Sequence, residues 1–249
     1  MTRLAGILTL GSAHRILVAA LVTVAFTFLA RFSRGVTSPG AAAGAFVGFA
    51  LYAGAGFGAF LALVTVFVLT WLATRLGYAH KQQLGTAERK EGRTASQVLA
   101  NLMTAGLAAG LYGLYRGEPV FLIAMAAALS EAAADTVSSE FGQAYSDRAR
   151  LITNWKPVPA GTDGGVTWAG TAAGAAAAVI VSAVCIVTHL LPTRWWALPV
   201  IGAVAGMIAD SYMGALLEQR RWLNNNGVNF LGTVVAAAIS CFLFEALNR

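Results

Sequence analysis

Long apolar stretches, each close to twenty residues and broken by short polar interruptions, set the pattern of this chain. A helix rising 1.5 Å per residue needs about that length to cross the hydrocarbon core of a bilayer. Helices are therefore expected at about 13–30, 38–54, 57–76, 97–115, 119–139, 166–190, 196–217 and 228–246, eight in all. The second, "PGAAAGAFVGFALYAGAG", is short and rich in glycine, and the "GAG" that ends it leaves almost no loop. No period-two alternation marks the strands of a membrane barrel. The pattern predicts an all-α polytopic integral membrane protein, a bundle of about eight transmembrane helices forming one domain over residues 1–249.

Composition agrees: 57% of residues are hydrophobic and 11% charged, which argues against a soluble globular domain. The 27 glycines and the alanine runs suit helices in close contact, because small side chains let backbones approach where lipid offers no hydrophobic drive. Cys185 and Cys241 both fall in expected spans and suggest neither a disulfide framework nor a zinc cluster. The first apolar run is followed by "LARFSRG", with no small-residue cleavage site, and is expected to remain as a span.

Charge then orients the bundle. Arg31, Arg34, Arg75, Lys81, Arg89, Lys90, Arg93, Arg148, Arg150, Lys156, Arg220 and Arg221 fall on one side; Arg3, Arg15, Arg116, Arg194 and Arg249 fall on the other. The positive-inside tendency makes the first side cytoplasmic, with both termini outside. The net charge of +6 is explained by this asymmetry, and no basic stripe interleaved with aromatics suggests a nucleic-acid partner. The longer loops, about 77–96, 140–165 and 218–227, all lie on the cytoplasmic side, so chemistry is expected there, at the inner or cytoplasmic membrane.

Against this apolar background the stretch "EAAADTVSSEFG" stands out. Glu131, Asp135, Ser138 and Gly142 recur on one helical face, with Glu140 roughly 140° from Asp135. Carboxylates inside a span are costly and are kept mainly where they face a bundle interior or a hydrated cavity. Such carboxylate and hydroxyl oxygens suit a hard divalent cation such as Mg2+. The plainer reading is a helix end already in water. "ADS" at 209–211 repeats the Ala-Asp-hydroxyl element of "ADT" at 134–136, and Asp210, Gly214 and Glu218 share a face. Two such elements on different helices would converge on one ion, unless the match is chance in an alanine-rich chain.

The basic loops supply the opposite charge. "KQQLGTAERKEGRTASQVLAN" leads into a helix whose Arg93, Gln97 and Asn101 recur every four residues and suit an anionic group, although Thr94 with Gln97 also reads as a capping box. Its lysines and arginines would equally meet lipid headgroups. In "NWKPVPAGTDGGVTWAGT", Lys156 precedes a Gly-Thr-Asp-Gly-Gly loop opening into a span, a place where exposed backbone N–H groups bind anions, or simply a turn. Asn224, Asn225, Asn226 and Asn229 surround the start of the last helix, most of them as turn or cap residues. No nucleotide-binding phosphate loop, H-E-x-x-H or G-x-S-x-G is present, and the three histidines are scattered.

The motifs "EGRTASQVLAN", "ADTVSSEFG", "KPVPAGTDGGVTWAGT", "ADSYMGALLE" and "NNNGVNFLGT" together resemble the integral membrane family that includes plant phytyl-phosphate kinase and animal transmembrane protein 19. The resemblance covers about residues 75–235 in the same motif order. It implies phosphoryl transfer from a nucleoside triphosphate, CTP among the candidates, to an isoprenoid monophosphate such as phytyl or geranylgeranyl phosphate. A more distant likeness to CTP-dependent lipid kinases and cytidylyltransferases implies a Mg2+ requirement.

With the residues, this gives Asp135, Glu140 and Asp210 as expected catalytic groups, and Asp135, Asp210 and Glu131 as expected metal ligands. Lys81, Arg93, Gln97, Asn101, Lys156, Thr162, Gly164, Gly165, Asn226 and Asn229 form the expected phosphate and nucleotide set. A cytidylyltransferase, a lipid-alcohol kinase and an ion-coupled transporter remain as alternatives, since intramembrane acids also mark ion pathways.

Overall fold

The computed structural model describes residues 10–115 and 117–248. Arg3, Arg116 and Arg249 of the charge comparison lie outside the described residues. In chain order the helices are α1 (Leu10–Phe32), α2 (Ser38–Ala55), α3 (Phe57–Arg75), α4 (Tyr78–Leu84), α5 (Ala95–Leu114), α6 (Pro119–Tyr145), α7 (Trp168–Val187), α8 (Ala197–Met213) and α9 (Asn225–Leu247). Between α6 and α7 lie strands β1 (Arg148–Leu151), β2 (Pro157–Pro159) and β3 (Gly165–Val166).

The chain is thus an all-α polytopic bundle with a small sheet at one end. Among the described residues, seven helices are long and apolar enough to cross a membrane. The second expected span, α2, forms as an 18-residue helix but is not among those seven, its glycines and Ser-Pro start diluting its apolarity. It lies against α1, α3 and α5.

α6 is the axis around which the others pack, touching α3, α5, α7, α8 and α9. Met125–Ala134 are buried without a break, and the alanines among them let surrounding backbones come close. This burial carries Glu131 and Asp135 into the bundle. α6 also runs to Tyr145, past the expected end at 139, so the acidic motif is fully helical.

The long connections gather at one end. Each long helix starting there has a side-chain cap: Thr37 on α2, Thr94 on α5, Thr167 on α7 and Asn224 on α9. Each cap satisfies an orphan helical N–H. The stretch 140–165, expected as loop, is helix and then an antiparallel sheet of order β2-β1-β3, with Arg150 opposite Pro157 and Val166. Strands of two to four residues are too short to show alternation, and two prolines confine β2 to the edge. The expected loop 77–96 likewise contains α4. The segment after α1 is strapped to the end of that loop, Thr37 N–H donating to Arg93 O at 2.9 Å and Arg93 N–H to Gly35 O at 3.0 Å.

Candidate active site

α6 and α8 bring Asp135 and Asp210 together in the lining of one cavity. Glu131 lies one turn deeper on α6 and is 1% exposed. Two glycines make room for it. A Cβ on Gly206 would stand 2.7 Å from Glu131 Cγ, and one on Gly232 would stand 2.5 Å from Glu131 Oε1 and 3.4 Å from Asp210 Oδ2. Glu131 Oε1 and Asp210 Oδ2 are both buried without a hydrogen-bond partner. An unmatched buried carboxylate oxygen is expensive, and the arrangement calls for positive charge from outside the side chains themselves.

The donor set fits Mg2+ in a particular way. Among the described residues no three His, Cys, Asp or Glu side chains are arranged to hold a metal by themselves, so Glu131 does not complete a three-carboxylate cage. Asp135 and Asp210 face a polar cavity of about 340 Å³, while Glu131 stays beneath them. Two carboxylates plus water and substrate phosphate are the usual surroundings of Mg2+.

The cavity walls come from separate parts of the chain. Ser138 and Ser139 on α6, Ser211 on α8 and Glu218 at the end of the following Gly214–Glu218 turn stand on two sides. That turn is π-helical, a form common where a helix serves a site. The Thr162–Thr167 segment closes a third side. Gly164 is required there: its φ is +76°, and a Cβ would stand 2.5 Å from Ala215 Cβ and 2.7 Å from Ser211 O. Burial raises the Asp163 carboxyl above its ordinary range.

Several expected residues meet in this cavity. Arg93 reaches Thr136 Oγ1 at 3.3 Å, beside Asp135 in the chain, and lines the cavity. Asn101, 5% exposed, lines the cavity and donates to Gln97 O at 2.8 Å. Asn229 also lines it. Gln97 lines it too, but its side chain is engaged by Thr94 N–H at 2.8 Å and by Glu88 Oε2 at 3.0 Å, so the capping box holds it.

Other expectations need correction. Lys81 is fully buried, its Nζ donating to Glu140 Oε2 at 2.5 Å, Thr74 O at 2.8 Å and Ala73 O at 3.1 Å. An ammonium has three donors, and all are used, leaving none for phosphate. Glu140 correspondingly accepts from Lys81 and from Thr74 Oγ1 at 3.1 Å, which ties α6 to α3 and α4. Glu140 still lines the polar cavity, but its position roughly 140° around the helix from Asp135 turns its carboxylate to Lys81 and Thr74. Lys156 is exposed at the β1–β2 connection and does not line the cavity.

The glycine loop also differs from the expectation of free donors. Thr162 Oγ1 donates to Pro159 O at 2.8 Å and Gly165 N–H to Thr162 O at 2.8 Å, so Thr162 and Gly165 stabilise the turn. The α7 N-terminus is capped by Thr167, which accepts from Gly170 N–H at 3.0 Å. At the last helix the cavity takes Asn225 and not Asn226. Asn225 and Thr167 lie beside helix starts, where polar residues read as caps, and Thr167 is one; Ser211 reads in sequence only as the hydroxyl of the second Ala-Asp-hydroxyl element.

The profile of the family described as Integral membrane protein DUF92 matches residues 21–237. Protein VTE6, chloroplastic, from Arabidopsis thaliana is 28% identical over 224 residues, 85% of this chain and 67% of that protein. The uncharacterized membrane protein MJ0933 of Methanocaldococcus jannaschii is 29% identical over 96% of this chain and 98% of its own. The uncharacterized membrane protein sll0875 of Synechocystis is 32% identical over 78% and 77% respectively. No solved structure matches the chain.

Proposed function

Because the chain belongs to the integral membrane protein family DUF92, we propose that it is a membrane kinase moving a phosphoryl group from a nucleoside triphosphate to an isoprenoid monophosphate. The observation that carries the reading is the meeting of Asp135 and Asp210 in the lining of a polar cavity, with Asp210 Oδ2 and the neighbouring Glu131 Oε1 buried and unmatched. The motif resemblance to phytyl-phosphate kinase supplies the acceptor class, and the excess of basic residues at the loop-bearing end supports a cytoplasmic mouth.

Phosphoryl transfer asks a protein mainly for positioning and charge neutralisation. Asp135 and Asp210 would hold Mg2+, which when bound neutralises phosphate oxygens. Arg93 is the side chain that approaches phosphate from the other side. The first two turns of α9, with Asn225 and Asn229 at the cavity, add amide donors where a helix N-terminus favours anions. An oxygen of the acceptor phosphate attacks the γ-phosphorus as the bond to the β-phosphate oxygen breaks, giving lipid diphosphate and nucleoside diphosphate. With a second pKa of about 6, the acceptor is largely ionised at neutral pH. Its attack needs no strong base.

The test is product identity. Purified full-length protein is incubated with Mg2+, each nucleoside triphosphate, and phytyl and geranylgeranyl monophosphates, and the lipids are read by mass spectrometry. Lipid diphosphate with matching nucleoside diphosphate, abolished by EDTA, is expected. Release of inorganic diphosphate would replace the kinase by nucleotidyl transfer, and no lipid product with any nucleotide would end the reading.

A further inference from the structure

Beside the polar cavity lies a second, mainly apolar one of about 450 Å³, enclosed by α1, α2, α3 and α5. Its mouth and its floor differ in chemistry. At the mouth stand Arg34, Arg89 and Lys90, exposed and, among the described residues, paired with no carboxylate. Arg75 is there too, but it stacks over Trp71 at 4.2 Å and donates to Ser33 O at 2.5 Å. The one acid at the mouth, Glu88, is engaged by Gln97. Below, the walls are apolar: Val66 and Phe67 of α3, Val98 and Leu102 of α5, Ala132 of α6.

The depth follows from the helix. The lining runs along α3 from Arg75 to Leu63, which at 1.5 Å per residue is about 18 Å. A single leaflet is about half of a ~30 Å hydrocarbon core, so the cavity is about as deep as one leaflet. Its floor is aromatic. Phe26 packs edge to face on Phe67 at 5.3 Å and on Phe60 at 5.6 Å, and Tyr52 stands behind Phe60 at 5.9 Å. The two cavities meet at Arg93 and Asn101, which line both.

We infer that this cavity is the acceptor chamber: Arg34, Arg89 and Lys90 receive the anionic head, the apolar shaft receives the tail, and Phe26 with Leu63 limits tail length. The inference rests on the kinase reading only for the direction of transfer. Binding of an amphiphile with an anionic head follows from the chamber itself. Arg93 is the bridge through which the head reaches the aspartates, one residue from its contact on Thr136. A tail about one leaflet long fits, such as phytyl or geranylgeranyl. A much longer one, such as undecaprenyl, does not.

Binding is measured without nucleotide, by native mass spectrometry of the full chain in phosphatidylcholine nanodiscs, with phytyl monophosphate, undecaprenyl monophosphate and phytol as probes. Stoichiometric binding of phytyl monophosphate in preference to the other two is expected. Arg89→Gln, on the exposed rim, should weaken phytyl monophosphate about tenfold, the worth of one charge-assisted hydrogen bond, and leave phytol unchanged. Phe26→Ala should move the preference toward the longer tail, and Leu63→Trp, in protein verified as folded, should weaken phytyl monophosphate.

A length preference untouched by Phe26→Ala and Leu63→Trp in folded protein would overturn the tail assignment. If Arg89→Gln alters only association with phosphatidylglycerol vesicles and leaves phytyl monophosphate binding intact, the rim meets bilayer headgroups and the head assignment falls. Lipid binding with this pattern but no turnover with any nucleotide would sink the kinase reading alone. Turnover whose lipid KM ignores all three variants would sink the chamber alone.

Discussion

Replacing Glu140 by Gln leaves the ammonium of Lys81 buried with two carbonyl oxygens and no counter-charge. Lys81 is 0% exposed and Glu140 8%, so water screens little of the loss. Removing one partner of a buried pair costs about 3–5 kcal/mol, whereas exchanging both for apolar residues of similar volume is often neutral. At roughly 2–4 °C per kcal/mol for a chain of this size, Glu140→Gln should lower the melting temperature by about 10 °C. Lys81→Met with Glu140→Leu should recover most of it. The assay is a thermal melt of detergent-purified protein followed by phosphoryl transfer at a temperature where all variants are folded. If the pair is structural, the double variant is stable and active. A folded, stable double variant with no turnover would refute the assignment and return Glu140 to the chemistry.

Gly232→Ala places a methyl 2.5 Å from Glu131 Oε1; turnover should fall at least about tenfold through the displaced carboxylates, while the gain of up to ~1 kcal/mol in helix propensity keeps the melt near wild type. Gly164→Ala combines a φ of +76° with a clash on the Gly214–Glu218 turn, and should cost about 1–3 kcal/mol and raise the nucleotide KM more than it changes kcat. Because burial raises the Asp163 carboxyl, its protonated form favours the fold; that contribution is present in acid and is lost as pH rises from the unfolded-state value through the raised folded one. Asp163→Asn should therefore raise the melting temperature near neutral pH and not in acid, as melts across pH will show.

Most of the bundle was legible because apolar length is a direct physical demand of the bilayer. Helix α2 was legible as a helix but not as an equal of the others, since its glycines serve contact with neighbouring helices more than lipid solubility. The sheet after α6 was hidden: strands as short as Gly165–Val166 carry no alternation to read. Asp135, Asp210 and Arg93 were legible because charge inside or beside a span needs a reason. Lys81 and Glu140 carried the same signal for a different reason, each being the other's counter-ion across sequence that no local pattern connects. Asn225 gave no signal separable from capping, being the first residue of α9 after its cap Asn224. Gly206 and Gly232 could be read as packing glycines, but only the crossing of α6, α8 and α9 shows that what they accommodate is a carboxylate.

The central claim is that Asp135 and Asp210 act as one unit on phosphate, and the rate of phosphoryl transfer in Asp135→Asn, Asp210→Asn and the double variant tests it most directly. Each single variant, verified as folded by its melt, should lose about 10²–10³-fold in kcat. The double variant should lose little more than either, as expected of residues that act together. Turnover within a few-fold of wild type in either single variant, or losses that multiply in the double, would contradict the account.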